Sequence, residues 1–440
     1  MLAGGRAVAG KDVGAGSTSA ILARLERAGE ALGARTTDEI VAALDRACSR
    51  WRDAGDADRR TGVTALCEHY RVPAPAIAEI LDAAFGHWTG EALRKWIRLE
   101  LGHPSSLDGF VSSGSVRRRA LGPRLVAVVS AHGVPTTPVA DLLAALSVKA
   151  AVWLKPAAGT DDLAARFAAT VADCDPALGA AIEVSPWRPG SETEGAVLTA
   201  ADTVVATGSV GTLEALRAAI PGDTRLIVHG PRLSAAIVTR EALAGDPEGM
   251  IRALARDTAF AGQMGCLSPS VAYIESGAGV AGELAERIQA ACSERWPCPP
   301  RIADDAAQRA AFAEWAARAD VEAAAGAAGV WAGGADKAWS CQVRTRAEPP
   351  EPPAVPRLLF LAPIGDAGEA AALCARRRGQ VATVGIAAPP ERAASLARAL
   401  AAAGVERIAP LGAMQSPPLT WRRDGRPTLG DLVRWVDWEG

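Results

Sequence analysis

The sequence predicts an α/β protein in which parallel sheets are covered by crossover helices. Three observations point there. From about Leu121 onward, short valine-rich runs alternate with helix-patterned segments, the order that builds a parallel sheet. Those runs are continuously apolar, as strands buried on both faces require. Before them, from about Ser17 to Glu100, apolar residues recur at three- and four-residue steps, the period of a helix with one buried face.

The elements follow in order. Residues 1–16 are rich in Gly and Ala and are expected to be disordered. Helices are expected over 21–32, 38–52 and 74–88. Thr37, with Ile40 and Ala43 following, suits a helix start, and Pro73–Ala74–Pro75 marks another. Trp51, Trp88 and Trp96 are expected in the core. RLVAVVSA (124–131) reads as a buried strand, PVADLLAALSVKA (138–150) as a helix and AVWLKP (151–156) as a strand. A helix over 160–174 opens on Thr160 and two aspartates. Strands at 180–186, 203–209 and 224–230 frame a helix at 211–220. The stretch 231–345 is mixed, with a strand-like turn back at 234–241, a helix at 248–264 and a strand at 269–276. EPPEPPAVP (348–356) is too proline-rich for helix or central strand and is expected to be an exposed connection. Strands at 357–364, 380–387 and 405–412 then alternate with helices at 369–377 and 391–404, the latter closed by Gly404.

Composition narrows the function classes. The 440 residues suffice for two or three domains. With 47 basic and 50 acidic side chains, the formal net charge is −3. That balance argues against nucleic acid or an anionic membrane surface as the partner. The eight cysteines and five histidines are scattered, without the short spacings of a zinc site. The start of the chain lacks the apolar stretch of a signal peptide. No run of about 18 apolar residues offers a membrane span. A soluble, cytoplasmic protein is expected.

Three segments carry candidate chemistry. Cys266 lies in GQMGCLSPS (262–270), flanked by Gly262 and Gly265 and followed by Ser268 and Pro269. A thiol becomes a useful nucleophile when its pKa is lowered and substrate reaches it. Backbone N–H groups beside such a turn can serve an oxyanion. A lone cysteine is otherwise more often a buried structural thiol. TGSVG (207–211) joins a strand to a helix, and its glycines let a phosphate approach the helix N-terminus. It is not the GxGxxG fingerprint, and any tight strand-to-helix turn can look like it. Lys155 ends a strand, with Pro156 setting the turn; it suits a ribose or phosphate, or a merely solvated terminus.

Together these segments resemble the aldehyde dehydrogenase superfamily. KPAAGT (155–160) resembles its ribose-binding lysine motif, and TGSVG its pyrophosphate turn. HGPRLSAAIV (229–238) resembles the entry to its catalytic domain, and GQMGCLSPS its nucleophile segment. One branch is closer still: the chain resembles the acyl-CoA reductase family typified by LuxC. HGVPTTPVADLLAALSVKAAVWLKP (132–156), VATVGI (381–386), GVERIAPLGAM (404–414) and DGRPTLGDLVRWVDWE (424–439) carry that likeness.

The resemblance implies an aldehyde dehydrogenase-like fold. A helical region would cover 1–120, a Rossmann-type dinucleotide-binding domain 121–230, an α/β catalytic domain 231–412 and a C-terminal segment 413–440. It implies Cys266 as nucleophile, with Lys155, Pro156, Thr207, Gly208, Ser209 and Gly211 holding the cofactor. Two departures shape the chemistry. The glutamate that activates water in hydrolytic relatives is matched at or near His229, so an acyl group on Cys266 is expected to resist hydrolysis. The family's Asn-Val-Pro becomes Gly133-Val134-Pro135 after His132, leaving His132 or the Cys266 N–H as oxyanion donor. Ala158 stands where NAD-specific relatives carry a glutamate for the ribose 2′-hydroxyl, which admits NADPH. The implied reaction is NADPH-dependent reduction of an acyl thioester to an aldehyde. The alternatives are its reverse, CoA-acylating aldehyde oxidation, or a non-catalytic scaffold. An acyl-transferring synthetase, a carrier protein or a second copy of the chain are the implied partners.

Overall fold

A computed structural model describes residues 15–157, 163–297, 306–326, 328–332, 338–353 and 355–439. The expectations for residues 1–14, for Ala158 and for the helix opening at Thr160–Asp162 lie outside the described residues. The strands are β1 (Val111–Ser113), β2 (Val116–Leu121), β3 (Leu125–Val129), β4 (Ala151–Lys155), β5 (Ile182–Val184), β6 (Thr203–Thr207) and β7 (Arg225–His229). They continue with β8 (Leu233–Val238), β9 (Val271–Ile274), β10 (Ala328–Ala332), β11 (Ser340–Arg344), β12 (Leu358–Pro363), β13 (Val381–Ala387), β14 (Arg407–Pro410) and β15 (Arg434–Trp438). The α/β class with parallel sheets is as the alternation predicted.

The chain divides into two compact units. The first comprises residues up to Tyr70, Ile77–Gly230 and the stretch from Pro418 onward. Its five-stranded parallel sheet has the order β5-β4-β3-β6-β7. The order reverses between β3 and β6, and in such sheets ligands bind outside the carboxyl ends of the strands at that point. Every residue of β3 is buried, which is why its sequence reads as an unbroken apolar run. A helix at Thr137–Ser147 returns the chain from β3 to β4. The N-terminal helices are Ala15–Gly33, Thr37–Arg52, Ala57–Tyr70, Ala74–Phe85 and Gly90–Leu101. The third of these has no clear apolar face and escaped the periodicity reading. Thr36, one residue before the expected start, caps the second helix by accepting from the Glu39 N–H, and Glu39 completes a capping box. Trp51, Trp88 and Trp96 are buried, and Trp51 Nε1 donates to Thr170 Oγ1 at 3.1 Å. A small antiparallel sheet, β1-β2-β15, uses the end of the chain as an edge strand. β1 and β2 pair locally as a hairpin, but β15 joins β2 from across most of the chain, so no local pattern announces that edge.

The second unit comprises Arg71–Ala76 and Pro231–Pro417. Its sheet has the order β10-β11-β12-β9-β8-β13-β14, parallel except for the β10–β11 pair. The segment 234–241, expected to turn back, instead supplies the central parallel strand β8, paired with both β9 and β13. Two long helices, Ala278–Arg295 and Ala306–Ala324, fill much of the stretch left as mixed. The proline-rich connection is not simply exposed: Pro350 and Val355 are buried. The Tyr273 hydroxyl donates to the Glu348 carbonyl at 2.6 Å, and Arg377 Nε donates to the Pro350 carbonyl at 3.1 Å. Prolines there free backbone carbonyls that the neighbouring elements claim.

Candidate active site

Cys266 sits in the second unit, on the turn between a short 3-10 segment, Phe260–Gln263, and β9. Among the described cysteines it alone is exposed. Cys48 and Cys292 are buried, with thiols pushed up by burial, and burial raises Cys341 and Cys374 to about 12. Those four are inert at neutral pH, because only the thiolate attacks. The backbone entering the turn is left-handed at three successive residues: Ala261 (φ 48°), Gly262 (65°) and Gln263 (64°). Gly262 is needed for space as well, since a Cβ there would lie 3.1 Å from Trp296 Nε1. Ser234 Oγ, on β8, donates to the Cys266 carbonyl at 2.6 Å. The turn leads into β9 and sits beside the start of β8, so it lies at the amino ends of these strands. The thiol thus lies at the opposite ends of its strands from those at which parallel sheets bind ligands.

The first unit holds the other candidates. A cavity at the carboxyl ends of β3 and β4 is lined by Tyr70, Ser130, Gly133, Pro135 and Pro156, among others. Ser130 Oγ is buried there without a hydrogen-bond partner, an orphan that a bound polar group would satisfy. Tyr70 closes one side by donating to the Gly133 carbonyl at 3.3 Å. Lys155 is not a solvated terminus: burial lowers its pKa, against the pull of Glu194. Glu194 is itself held by the Gly190 N–H at 2.6 Å. At the TGSVG turn, Ser209 caps the helix Val210–Ala219 by accepting from the Thr212 N–H. Gly208 is close-packed, its Cβ position lying 3.2 Å from Thr212 Cβ, whereas nothing lies within 4 Å of the Cβ position of Gly211. The first turn of that helix is exposed, and its N–H groups and dipole suit a pyrophosphate. The orphaned Ser130 hydroxyl and this open, capped helix start fit a dinucleotide. His132, on the loop after β3, is exposed.

One cluster was not foreseen. His229, the last residue of β7, is bonded through Nδ1 to Asp424 Oδ2 at 2.5 Å, and both side chains are largely buried. An Nδ1–H donated to the Asp424 carboxylate fixes the orientation of the ring. Asp424 holds a positive φ of 55°. Arg423 beside it donates to Thr207 Oγ1 at 3.0 Å and pairs with Asp141 at 3.3 Å. Burial raises the Asp141 pKa, while Arg423 and His229 pull it down. Thus the C-terminal segment grips both the first residue of the TGSVG turn and His229. Arg423, Asp141 and Ser130 gave no sequence signal; Asp424 lay inside the C-terminal segment on which the family likeness rests. Among the described residues no group of three or more His, Cys, Asp or Glu could hold a metal ion, and no helix is long and apolar enough to cross a membrane.

The architecture is that of the aldehyde dehydrogenases. Against an NADP-dependent glyceraldehyde-3-phosphate dehydrogenase from Bacillus halodurans, solved with NADP, the TM-score is 0.70 at 14% identity, covering 97% of this chain and 91% of that one. A NAD-dependent benzaldehyde dehydrogenase from Corynebacterium glutamicum gives 0.66 at 16% identity with the same coverage. Lactaldehyde dehydrogenase from Escherichia coli gives 0.69 at 15%, covering 98% and 92%. No curated protein sequence matches the chain. The family profile for acyl-CoA reductase (LuxC) matches residues 32–435. The chain therefore belongs to the LuxC acyl-CoA reductase family, as its motifs implied, and is an oxidoreductase of aldehyde chemistry.

Proposed function

We propose that this protein reduces an acyl thioester to an aldehyde at the expense of NADPH, through an acyl group carried on Cys266. The observation that carries the reading is the exposure of Cys266 on its left-handed turn, when the other described cysteines are buried or half-buried. The thiolate attacks the thioester carbonyl, the carbon–sulfur bond to CoA or to a carrier protein breaks, and the departing thiolate takes up a proton. Covalent capture divides one hard step into two. NADPH, when bound, supplies a hydride. The acyl group on Cys266 becomes a thiohemiacetal when its carbonyl carbon gains the hydride and its oxygen gains a proton. Collapse breaks its bond to Cys266, releasing aldehyde and restoring the thiol. Lys155, Pro156, Ser130 and residues 207–211 hold the cofactor in this reading. The oxyanion donor in this reading is His132 or the Cys266 N–H.

Support for a reductase over a hydrolase comes from the family resemblance, which matches the water-activating glutamate of hydrolytic relatives at or near His229, an imidazole bonded to Asp424. The acyl donor is CoA or a carrier thiol, delivered by an acyl-transferring synthetase, in the cytoplasm. A panel of acyl-CoA and acyl-carrier thioesters, followed by NADPH oxidation and aldehyde trapping, tests the reading. Cys266→Ala should lose both acyl labelling and aldehyde formation. Either activity surviving in that variant excludes the mechanism.

A further inference from the structure

We propose that Gln415 is a positioning residue for the nucleophile turn, tying 264–270 to the segment that follows β14. The inference rests on reading Cys266 as the nucleophile, and all its residues lie in the second unit. The turn has no helix or strand of its own to hold it. Two of the three left-handed residues on its approach, Ala261 and Gln263, are L-residues, each disfavoured there by roughly 1 kcal/mol or more. Backbone of this kind persists only where surrounding contacts over-determine it.

Those contacts are side-chain hydrogen bonds. Ser234 Oγ holds the Cys266 carbonyl. Gln263 Nε2 donates to the carbonyls of Pro269 and Leu358 at 3.0 and 3.1 Å. Gln415 Nε2 donates to the Asp257 carbonyl at 2.7 Å and to Ser268 Oγ at 3.3 Å. Gln415 and Ser268 are both buried, so water does not compete for this bond. Ser268 lies two residues beyond Cys266.

Gln415 is in turn fixed by its own segment. The fully buried Asp257 carboxylate accepts the N–H groups of Gly412 at 2.5 Å and Met414 at 3.1 Å. Gly412, at φ 91°, is packed so closely that a Cβ would lie 3.1 Å from Ala253 Cβ. Gly385 on β13 makes room for Met414, whose Sδ would lie 2.5 Å from a Cβ there. The helix Pro247–Ala259, β13 and the turn after β14 thus set Gln415, and Gln415 sets Ser268. The LGAMQ stretch at 411–415 is a brace for the thiol turn rather than a ligand motif. Small displacements matter, because a reacting group misplaced by about 1 Å can cost about 100-fold in rate.

The test uses the full-length protein and two readouts: alkylation of Cys266 by iodoacetamide, followed by mass spectrometry, and steady-state reduction of an acyl-CoA. Gln415→Met keeps the side chain's length and loses the amide; Ser268→Ala removes the acceptor; Ser268→Thr keeps the hydroxyl. Each of the first two should alter the Cys266 alkylation rate and lower kcat about tenfold, with the KM for acyl-CoA within about twofold. The double variant should be no worse than the poorer single, since both remove one bond. Ser268→Thr should restore wild-type behaviour. Alkylation and kcat unchanged in both singles, or additive losses in the double, would overturn the brace. Should Gln415→Met fail to fold, the smaller change Ser268→Ala with its threonine rescue decides the matter. Iodoacetamide reports on the turn without any reductase reaction. Altered alkylation in a protein that never accepts an acyl group would sink the proposed function and leave the brace standing.

Discussion

Single residues in this protein divide into those whose chemistry is written in their neighbours along the chain and those defined by distant partners. Cys266 belongs to the first kind: glycines before it and Ser-Pro after it mark an irregular, accessible turn. Asp257 belongs to the second. Nothing around it in sequence separates it from a surface carboxylate of a helix, yet it is fully buried. Burial outweighs the N–H bonds from Gly412 and Met414 and pushes its carboxyl up to about 6. The folded protein therefore binds this proton more tightly than the unfolded chain does. That stabilising contribution is complete below the ordinary carboxylate pKa and is lost as pH rises through about 6. Comparing wild type with Asp257→Asn in denaturant unfolding, the wild-type advantage should shrink between about pH 4 and pH 6 and stay level above. A difference that is flat across that window would refute the assignment.

Among the elements, the ends of strands carry the charges that matter. At the end of β9, Glu275 is buried, yet Arg392 and Arg240 hold it by hydrogen bonds. Burial raises its pKa, but those bonds prevail and hold it at about 2. Its contribution is present above the ordinary glutamate pKa and lost as pH falls through about 2. Because both arginines keep some solvent contact, Glu275→Gln should cost about 1–2 kcal/mol at neutral pH. The gap should close in acid, and a variant as stable as wild type at pH 7 would count against the network. At the end of β6, Arg423 bonds Thr207, the first residue of the turn that the proposed function gives to the cofactor. Arg423→Ala should raise the KM for NADPH about tenfold, or ~1.4 kcal/mol, while acyl labelling of Cys266 is unchanged. Equal loss of both would mean a general unfolding rather than a local role. Strand and helix identities were legible because buried parallel strands read as valine-rich runs. The helix Ala57–Tyr70 and the pairing of β15 with β2 were not, because one lacks a clear apolar stripe and the other joins residues across most of the chain.

For the molecule as a whole, the last residues are structural members of the first unit. β15 pairs with β2, and Glu100 accepts the backbone N–H groups of Leu429 and Gly430 at 2.6 and 3.1 Å. Arg423 and Asp424 cover Asp141 and His229. A chain ended at Pro417 leaves those buried groups unpaired, which is expensive. It should unfold at markedly lower temperature and become protease-sensitive before Pro231. A truncated chain as resistant as the full one would show the segment to be an appendage.

The sequence alone determined the α/β class, the family and much of the strand–helix alternation after Leu121, and it singled out Cys266 for test. Those are properties of periodicity, composition and contiguous motifs, which short stretches of chain carry in themselves. Only the tertiary structure decided that residues 233–238 form an interior strand, that His229 is paired with Asp424, that Arg423 meets Thr207, and that Gln415 bonds Ser268. Each of these joins residues between about 100 and 200 positions apart, or depends on which edge of a sheet a strand joins. Burial and hydrogen bonding at such distances exist only once the chain has folded, so no local pattern records them.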